Sequence, residues 1–505
     1  MTELNPFRIV KNAGANVARG MASAVIALVL PPLLTRSMTP DAYGSWALVV
    51  QFSSYIAYFD FGIQTAIGRF VAYANERSEE EYRNRIVSTA IAALTFAGLL
   101  GLIVIALAAI LLPRVFPNMP ADLLGHARIA LLLVAGSLAV GLPFSAFNGA
   151  FMGIHRYDIP AVTIGGSRIL GAALLVLVVR HGGGLVGMGM AWAGANLLAY
   201  AVQYAIYRGL AAGISLRPSF VTRDAFRELF DYCLSLSIWS FAALLVAGVD
   251  LILVGVFQYQ EVAYYAVAAT LVMFLAGLQS TIFNALLPSA AALHARGKSG
   301  ALGRMLVTST RYGTFLLFVT GIPLLLWTAD ILRIWVGPVY AAHAVIYLRI
   351  LVIANMVRLS ATPYSVLLMG TAQQKLAMSS PIIEGATNLV ASVIGGHWFG
   401  ALGIAVGTLI GSIIGVFIHF ARNLKRTTEI QISTGEFLRN GLLGPVVCVV
   451  PLLACAAWSS VAPGLFRSAI VLPPAFLLTA LLAWRWGILE SEREWLKSQM
   501  LRVVH

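Results

Sequence analysis

The stretch from Leu368 to Arg422 reads LMGTAQQKLAMSSPIIEGATNLVASVIGGHWFGALGIAVGTLIGSIIGVFIHFAR, and the chain contains its pattern twice. The earlier copy, Phe151 to Arg208, reads FMGIHRYDIPAVTIGGSRILGAALLVLVVRHGGGLVGMGMAWAGANLLAYAVQYAIYR. Met152-Gly153 answers Met369-Gly370, and Gly187, Ala191, Ala195 and Ala199 answer Gly403, Gly407, Gly411 and Gly415. Small residues every fourth position leave one bare stripe on a helix, where a second helix backbone can approach closely. A repeat of this length implies two lobes of like construction, a common plan among membrane transporters.

Working outward, apolar runs fill nearly the whole chain. It has 505 residues, of which 59% are hydrophobic and 11% charged, and a mean hydropathy of +0.85. A soluble surface would need far more charge. The runs are continuous rather than alternating, which excludes a β-barrel. Runs of about 20 residues each suit a spanning helix. The expected fold is therefore all-α and polytopic, with about 14 transmembrane helices. The predicted spans are 14–34, 43–67, 86–112, 127–151, 159–180, 184–208, 230–257, 262–288, 306–329, 343–369, 378–397, 401–421, 441–461 and 467–486.

The segment after the first span, TRSMTPDAYGSWALVVQFSSY, echoes GVFQYQEVAYYAVAATLVMFL after the seventh. The predicted organisation is an N-terminal lobe at 1–208, a cytoplasmic linker at 209–229 and a C-terminal lobe at 230–422. A loop at 423–440, two further helices at 441–486 and a tail at 487–505 complete it. Arginine and lysine crowd the loops that share a side with both termini, so the termini are placed in the cytoplasm. Those inner loops are long enough for short amphipathic helices but not for a catalytic domain. The basic N-terminus, interrupted by Arg19, reads as a first spanning helix rather than a cleaved signal.

Net charge is +13, but the basic residues follow membrane topology and do not point to nucleic acid. Cys233, Cys448 and Cys455 lie in apolar runs and form no metal or disulfide motif. Gly297-Lys298-Ser299 resembles the end of a phosphate-binding loop, yet Ala292 stands where that loop needs glycine. No metalloprotease or serine-hydrolase motif occurs. No catalytic residue, metal site or cofactor is expected.

Charges inside the spans carry the functional reading, because a charge in hydrocarbon normally faces a cavity or a partner. They include Arg19, Asp60, Arg168, Asp250, Arg349, Arg358 and Glu384. Arg168 and Glu384 hold nearly the same place in the two copies with opposite charge. Guanidinium suits a phosphate through two parallel hydrogen bonds, so Arg19 and Arg168, with Asp60 and Arg358, form the expected substrate-binding set. Glu384, with Asn388 one turn on, and Asp250 form a candidate site for a coupling proton or Na⁺. The competing expectation is plain structural pairing: Asp60 with Arg19 or Arg168, and Glu384 with Arg358.

The opening KNAGANVARGMASAVIALVLPPLLTRSMTPDAYGSWALV resembles the start of bacterial polysaccharide flippases for O-antigen and exopolysaccharide. These belong to the multidrug/oligosaccharidyl-lipid/polysaccharide exporter superfamily. The resemblance rests on a basic head, Arg19 in the first helix, and Thr35, Thr39, Pro40, Tyr43 and Gly44 before the second. FMGIHRYDIPA and LMGTAQQKLA resemble the starts of that family's fifth and eleventh helices. The resemblance implies an inner-membrane flippase of undecaprenyl-pyrophosphate-linked glycan, working by alternating access beside a polymerase and glycosyltransferases. It also implies a cation site on helices 7, 11 and 12, where Asp250, Glu384 and Thr408 lie. A multidrug cation exporter, a lipid II flippase and a non-transporting scaffold are the alternatives.

Overall fold

The computed structural model describes residues 25–210, 215–234, 249–461, 465–487 and 493–494. All regular elements among them are helical. Nine helical stretches among the described residues are long and apolar enough to cross a bilayer, and shorter apolar helices accompany them. Large side chains on their outer faces are apolar and exposed, Phe96, Trp398 and Phe417 among them. That is the surface a lipid environment requires, since hydrocarbon rather than water is the solvent there.

Two compact units divide the chain. The first holds residues 1–270, 335–340 and 396–404; the second holds 271–334, 341–395 and 405–505.

In the first unit, α1 covers Val25–Thr35 and α2 Pro40–Ser54, opened by Thr39, whose hydroxyl accepts the Ala42 N–H. Helix α3 follows at Ile63–Arg77, α4 at Glu80–Val115, α5 at Ala121–Gly153, α6 at Asp158–Arg180 and α7 at Gly184–Leu210. The predicted continuous span 43–67 needs correction. After α2 the chain tightens into a 3₁₀ turn at Tyr55–Asp60. Phe61 (φ 49°) and Gly62 (φ 79°) then take the left-handed conformation, which no α-helix continues through. The span is two helices with a break between them.

A helix at 223–234 lays Ala225, Leu229 and Cys233 into the apolar core that α3 and α4 build around Ile67, Ile86 and Leu94. It begins ahead of the predicted 230–257 span, whose middle lies outside the described residues. Helix α8 resumes at Asp250–Phe257, and α9 begins at Val262 and runs to Asn284.

The second unit continues with α10 at Leu287–Ala295, α11 at Ser299–Leu326, α12 at Thr328–Trp335 and α13 at Pro338–Ser360. Helix α14 is separate at Thr362–Gly370, with Pro363 in its first turn, so the predicted span 343–369 is also two helices. The stretch Gln374–Asn423 turns at Gly400 (φ 59°, ψ −139°). Its two arms are α15 before that glycine and α16 after it. Helices α17 (Gly444–Val461) and α18 (Leu465–Leu482) end the described fold.

The helices that end at Gly153 and at Gly370 close in the same way. After α5, Arg156 N–H reaches Phe151 O (2.8 Å) and His155 N–H reaches Met152 O (3.0 Å). After α14, Gln373 N–H reaches Leu368 O (2.8 Å) and Ala372 N–H reaches Met369 O (3.2 Å). His155 (φ 61°) and Ala372 (φ 57°) are both left-handed without being glycine. The same helix-ending motif also closes helices at Ser78, Gly182 and Gly297.

Candidate functional site

Polar side chains recur every fourth residue along α15: Ser380, Glu384, Asn388 and Ser392, all buried. On α16 the facing positions are Gly407, Gly411, Gly415, His419 and Asn423. Fourth-residue spacing aligns each set on one helix face, and the two faces meet in antiparallel order. A β-carbon at Gly411 would come within 2.8 Å of Asn388 Cβ, and one at Gly415 within 2.6 Å of Glu384 Cβ. Gly407 is opposed in the same way by Ser392. The bare stripe seen in the sequence therefore makes room for a polar stripe.

Glu384 meets a cation there. Arg358, on α13, donates from Nε to Glu384 Oε1 at 2.6 Å and from Nη2 to Ser412 Oγ at 3.4 Å. The Ser412 hydroxyl is shared between Thr408 O at 2.9 Å and Glu384 Oε1 at 3.5 Å. The Ser392 hydroxyl donates to Asn388 Oδ1 at 2.9 Å. A charge-assisted bond of this length is among the stronger side-chain pairings a protein makes. It also offsets a desolvation cost of several kcal/mol per ion.

One turn before Arg358, Asn355 donates to Gln279 Oε1 (3.0 Å), and Gln279 donates to Thr320 Oγ1 (2.6 Å). This chain ties α13 to α9 and α11 deep in the unit. Sequence reasoning missed Gln279 and Asn355; the signal was an amide inside each apolar run. It also missed His419, whose ring is buried among Ser365, Ser380 and Asn423. His419 is the one histidine at the fourth-residue spacing of the glycine stripe.

The expected sites thus redistribute. Glu384, Asn388 and Thr408 come together on the α15–α16 seam, and Arg358 joins them as the partner of Glu384. Asp250 belongs to the other unit, where it is buried at the start of α8 and accepts from the Tyr265 hydroxyl at 3.4 Å. Asp60 sits at the broken span. Its Oδ1 accepts from the Ser145 hydroxyl (2.9 Å) and its Oδ2 from the Gln64 N–H (3.3 Å). The carboxylate therefore occupies the N-terminal end of α3, satisfying a donor the break would leave open. Arg168 is exposed on α6, although α6 is one of the spanning helices. Arg19 lies outside the described residues. Among the described residues no cluster of three or more His, Cys, Asp or Glu side chains is arranged to hold a metal ion.

Comparison with known proteins agrees with this architecture. The sequence profile described as "Polysaccharide biosynthesis protein" matches residues 9–294. The membrane protein EpsK of Bacillus subtilis (strain 168), described as uncharacterized, is 23% identical over 448 residues, covering 87% of each chain. Among solved structures, the lipid II flippase MurJ in an inward closed conformation is similar with a TM-score of 0.70 at 14% identity, over 94% of this chain and 98% of that one. An inward-facing multidrug resistance MATE family transporter of the MOP superfamily is similar with a TM-score of 0.63 at 13% identity, over 80% of this chain and 94% of that one.

Proposed function

The chain belongs to the polysaccharide biosynthesis protein family, and from that premise we propose that it is a flippase for undecaprenyl-pyrophosphate-linked oligosaccharide repeats. It moves them from the cytoplasmic to the periplasmic leaflet of the bacterial inner membrane by alternating access. Both termini stay in the cytoplasm. The product feeds a polysaccharide polymerase, and the glycosyltransferases that complete the repeat supply the substrate.

The observation that carries this reading is the contrast between the two copies of the repeat. Glu384 is buried against Arg358, whereas Arg168, one residue beyond the counterpart of Glu384 in the first copy, is exposed on a spanning helix. A guanidinium exposed at membrane depth is costly in lipid and suited to a cavity that admits an anion. Its planar fork matches phosphate oxygens. The membrane potential adds about 2.3 kcal/mol per charge per 100 mV to outward movement of an uncompensated anionic headgroup.

The coupling ion in this scheme is H⁺ or Na⁺, held on the α15–α16 seam by Glu384, Asn388 and Thr408. Asp250 is the remaining candidate from the first unit. Arg19 is assigned with Arg168 to the headgroup.

The test is a lipid extract from a strain lacking the protein, with polyprenyl-linked glycans read by mass spectrometry. A complete, unpolymerised repeat accumulates on pyrophosphate lipid. The intact gene clears it, and Arg168→Ala does not. An unchanged lipid-linked pool together with new sensitivity to cationic dyes would replace the flippase with a drug exporter.

A further inference from the structure

His419 is fixed in one tautomer by its neighbours. The Asn423 amide donates from Nδ2 to the Leu376 carbonyl at 2.8 Å, which sets the orientation of that amide. The same Nδ2 lies 3.0 Å from His419 Nδ1, so Nδ1 is the acceptor. Ser380 Oγ lies 2.8 Å from the same nitrogen and accepts from Asn423 Nδ2 at 3.4 Å. The ring proton therefore sits on Nε2 and is donated to Ser365 Oγ at 3.2 Å. One imidazole joins three helices, α14, α15 and α16.

Among the described side chains, the groups facing it are few. Tyr364 packs against the ring with centroids 5.0 Å apart, and Ser365 follows it on α14. Ser380 faces it from α15, and Phe420 and Asn423 from α16. The next carboxylate along the α15 face is Glu384, one turn from Ser380 and held by Arg358.

The repeat supplies the control. Gln203 stands four residues after Ala199, as His419 stands four after Gly415, and Thr163 stands ten after Gly153, as Ser380 stands ten after Gly370. Gln203 is buried and donates from Nε2 to Thr163 Oγ1 at 3.2 Å. An amide therefore suffices to join the two helices at this place in the fold. The second copy has an imidazole, which can take up a proton, instead.

We propose that His419 is a proton-binding site whose occupancy unfastens the start of α15 from the end of α16. A second proton goes to Nδ1, the nitrogen that Asn423 Nδ2 and Ser380 Oγ both face. The serine hydroxyl can rotate and accept. The asparagine amide can turn its oxygen to the ring only by giving up the Leu376 carbonyl. Binding the proton thus sets one N–H against another and costs the bond that ties the two helix ends. Proton uptake and release of this clasp are the same event, linked in the thermodynamic sense. The nature of the cargo does not enter this inference, and its test needs none.

The measurement is hydrogen–deuterium exchange on the full-length protein in lipid nanodiscs, wild type against His419→Gln, at about pH 8 and about pH 5.5, either side of the usual histidine range. His419→Gln installs the side chain that the first copy uses in the same packing. At the higher pH the two proteins exchange alike over 376–384 and 415–423. At the lower pH the wild type exchanges these segments roughly tenfold faster than the variant, the change expected for one unit of linked pKa difference. Equal exchange at both pH values, or a difference independent of pH, would overturn the proposal. Should the variant not fold, ¹⁵N-histidine spectra of the wild type decide. A ring nitrogen pair that converts from the Nε2–H form to imidazolium as the segments deprotect supports it, and a ring that stays in the Nε2–H form throughout refutes it.

Discussion

Arg358 Nε and Glu384 Oε1 lie 2.6 Å apart, joining two charges that are 26 residues apart in the chain and on different helices. Their side chains are 27% and 10% exposed, so removing one partner leaves the other with little water to turn to. Arg358→Ala is expected to destabilise the protein by about 3 kcal/mol. The double replacement Arg358→Met with Glu384→Leu should recover most of that loss, because no unpaired charge remains. Thermal unfolding of the three variants in one detergent measures it. Equal losses in single and double variants would mean that the pair contributes little.

Asp60 holds the broken second span through Ser145 and the Gln64 N–H. Asp60→Ala should cost about 1 kcal/mol, as for loss of a helix cap, while Asp60→Asn keeps an acceptor and loses little. The informative case is Asp60→Asn in the lipid-linked glycan assay. Normal clearance of the pool fits a cap. A folded Asp60→Asn protein that clears nothing would return Asp60 to the substrate site.

Two glycines should respond in opposite ways to alanine. A β-carbon at Gly411 meets Asn388 backbone and side chain within 3.0 Å, so Gly411→Ala forces the seam apart at about 1–3 kcal/mol. Gly194, exposed on α7, has nothing within 4 Å of its added carbon. Gly194→Ala should be neutral or stabilising by up to about 1 kcal/mol, since alanine favours the helix. Unfolding midpoints compared with wild type separate the two.

Arg168 is exposed on α6, and its removal should leave stability within about 0.5 kcal/mol. Flipping should nevertheless fail in Arg168→Ala and be partly kept in Arg168→Lys, which retains the charge but not the two-pronged donor. Accumulated lipid-linked repeat in cells expressing each variant at normal level is the readout. Full clearance by Arg168→Ala would remove this residue from the headgroup site.

Local pattern encodes one part of this protein. Continuous apolar runs specify spanning helices, since each satisfies its own backbone within the bilayer. Fourth-residue spacing places Gly403, Gly407, Gly411 and Gly415 on one face before any partner is known. The repeat predicts paired backbone motifs, and His155 and Ala372 share their left-handed turn. Which groups pair depends on how the helices pack. The sequence left the neighbour of Glu384 open, and helix packing set Arg358 against it. The sequence ran a helix through Asp60; the left-handed Phe61 and Gly62 broke it, and the carboxylate took the free donor. His419 lay unnoticed in an apolar run until three helices closed around it. In each case hydropathy fixes that a polar group must be satisfied, while the group that satisfies it depends on which helix faces meet, and that is a property of the packed bundle.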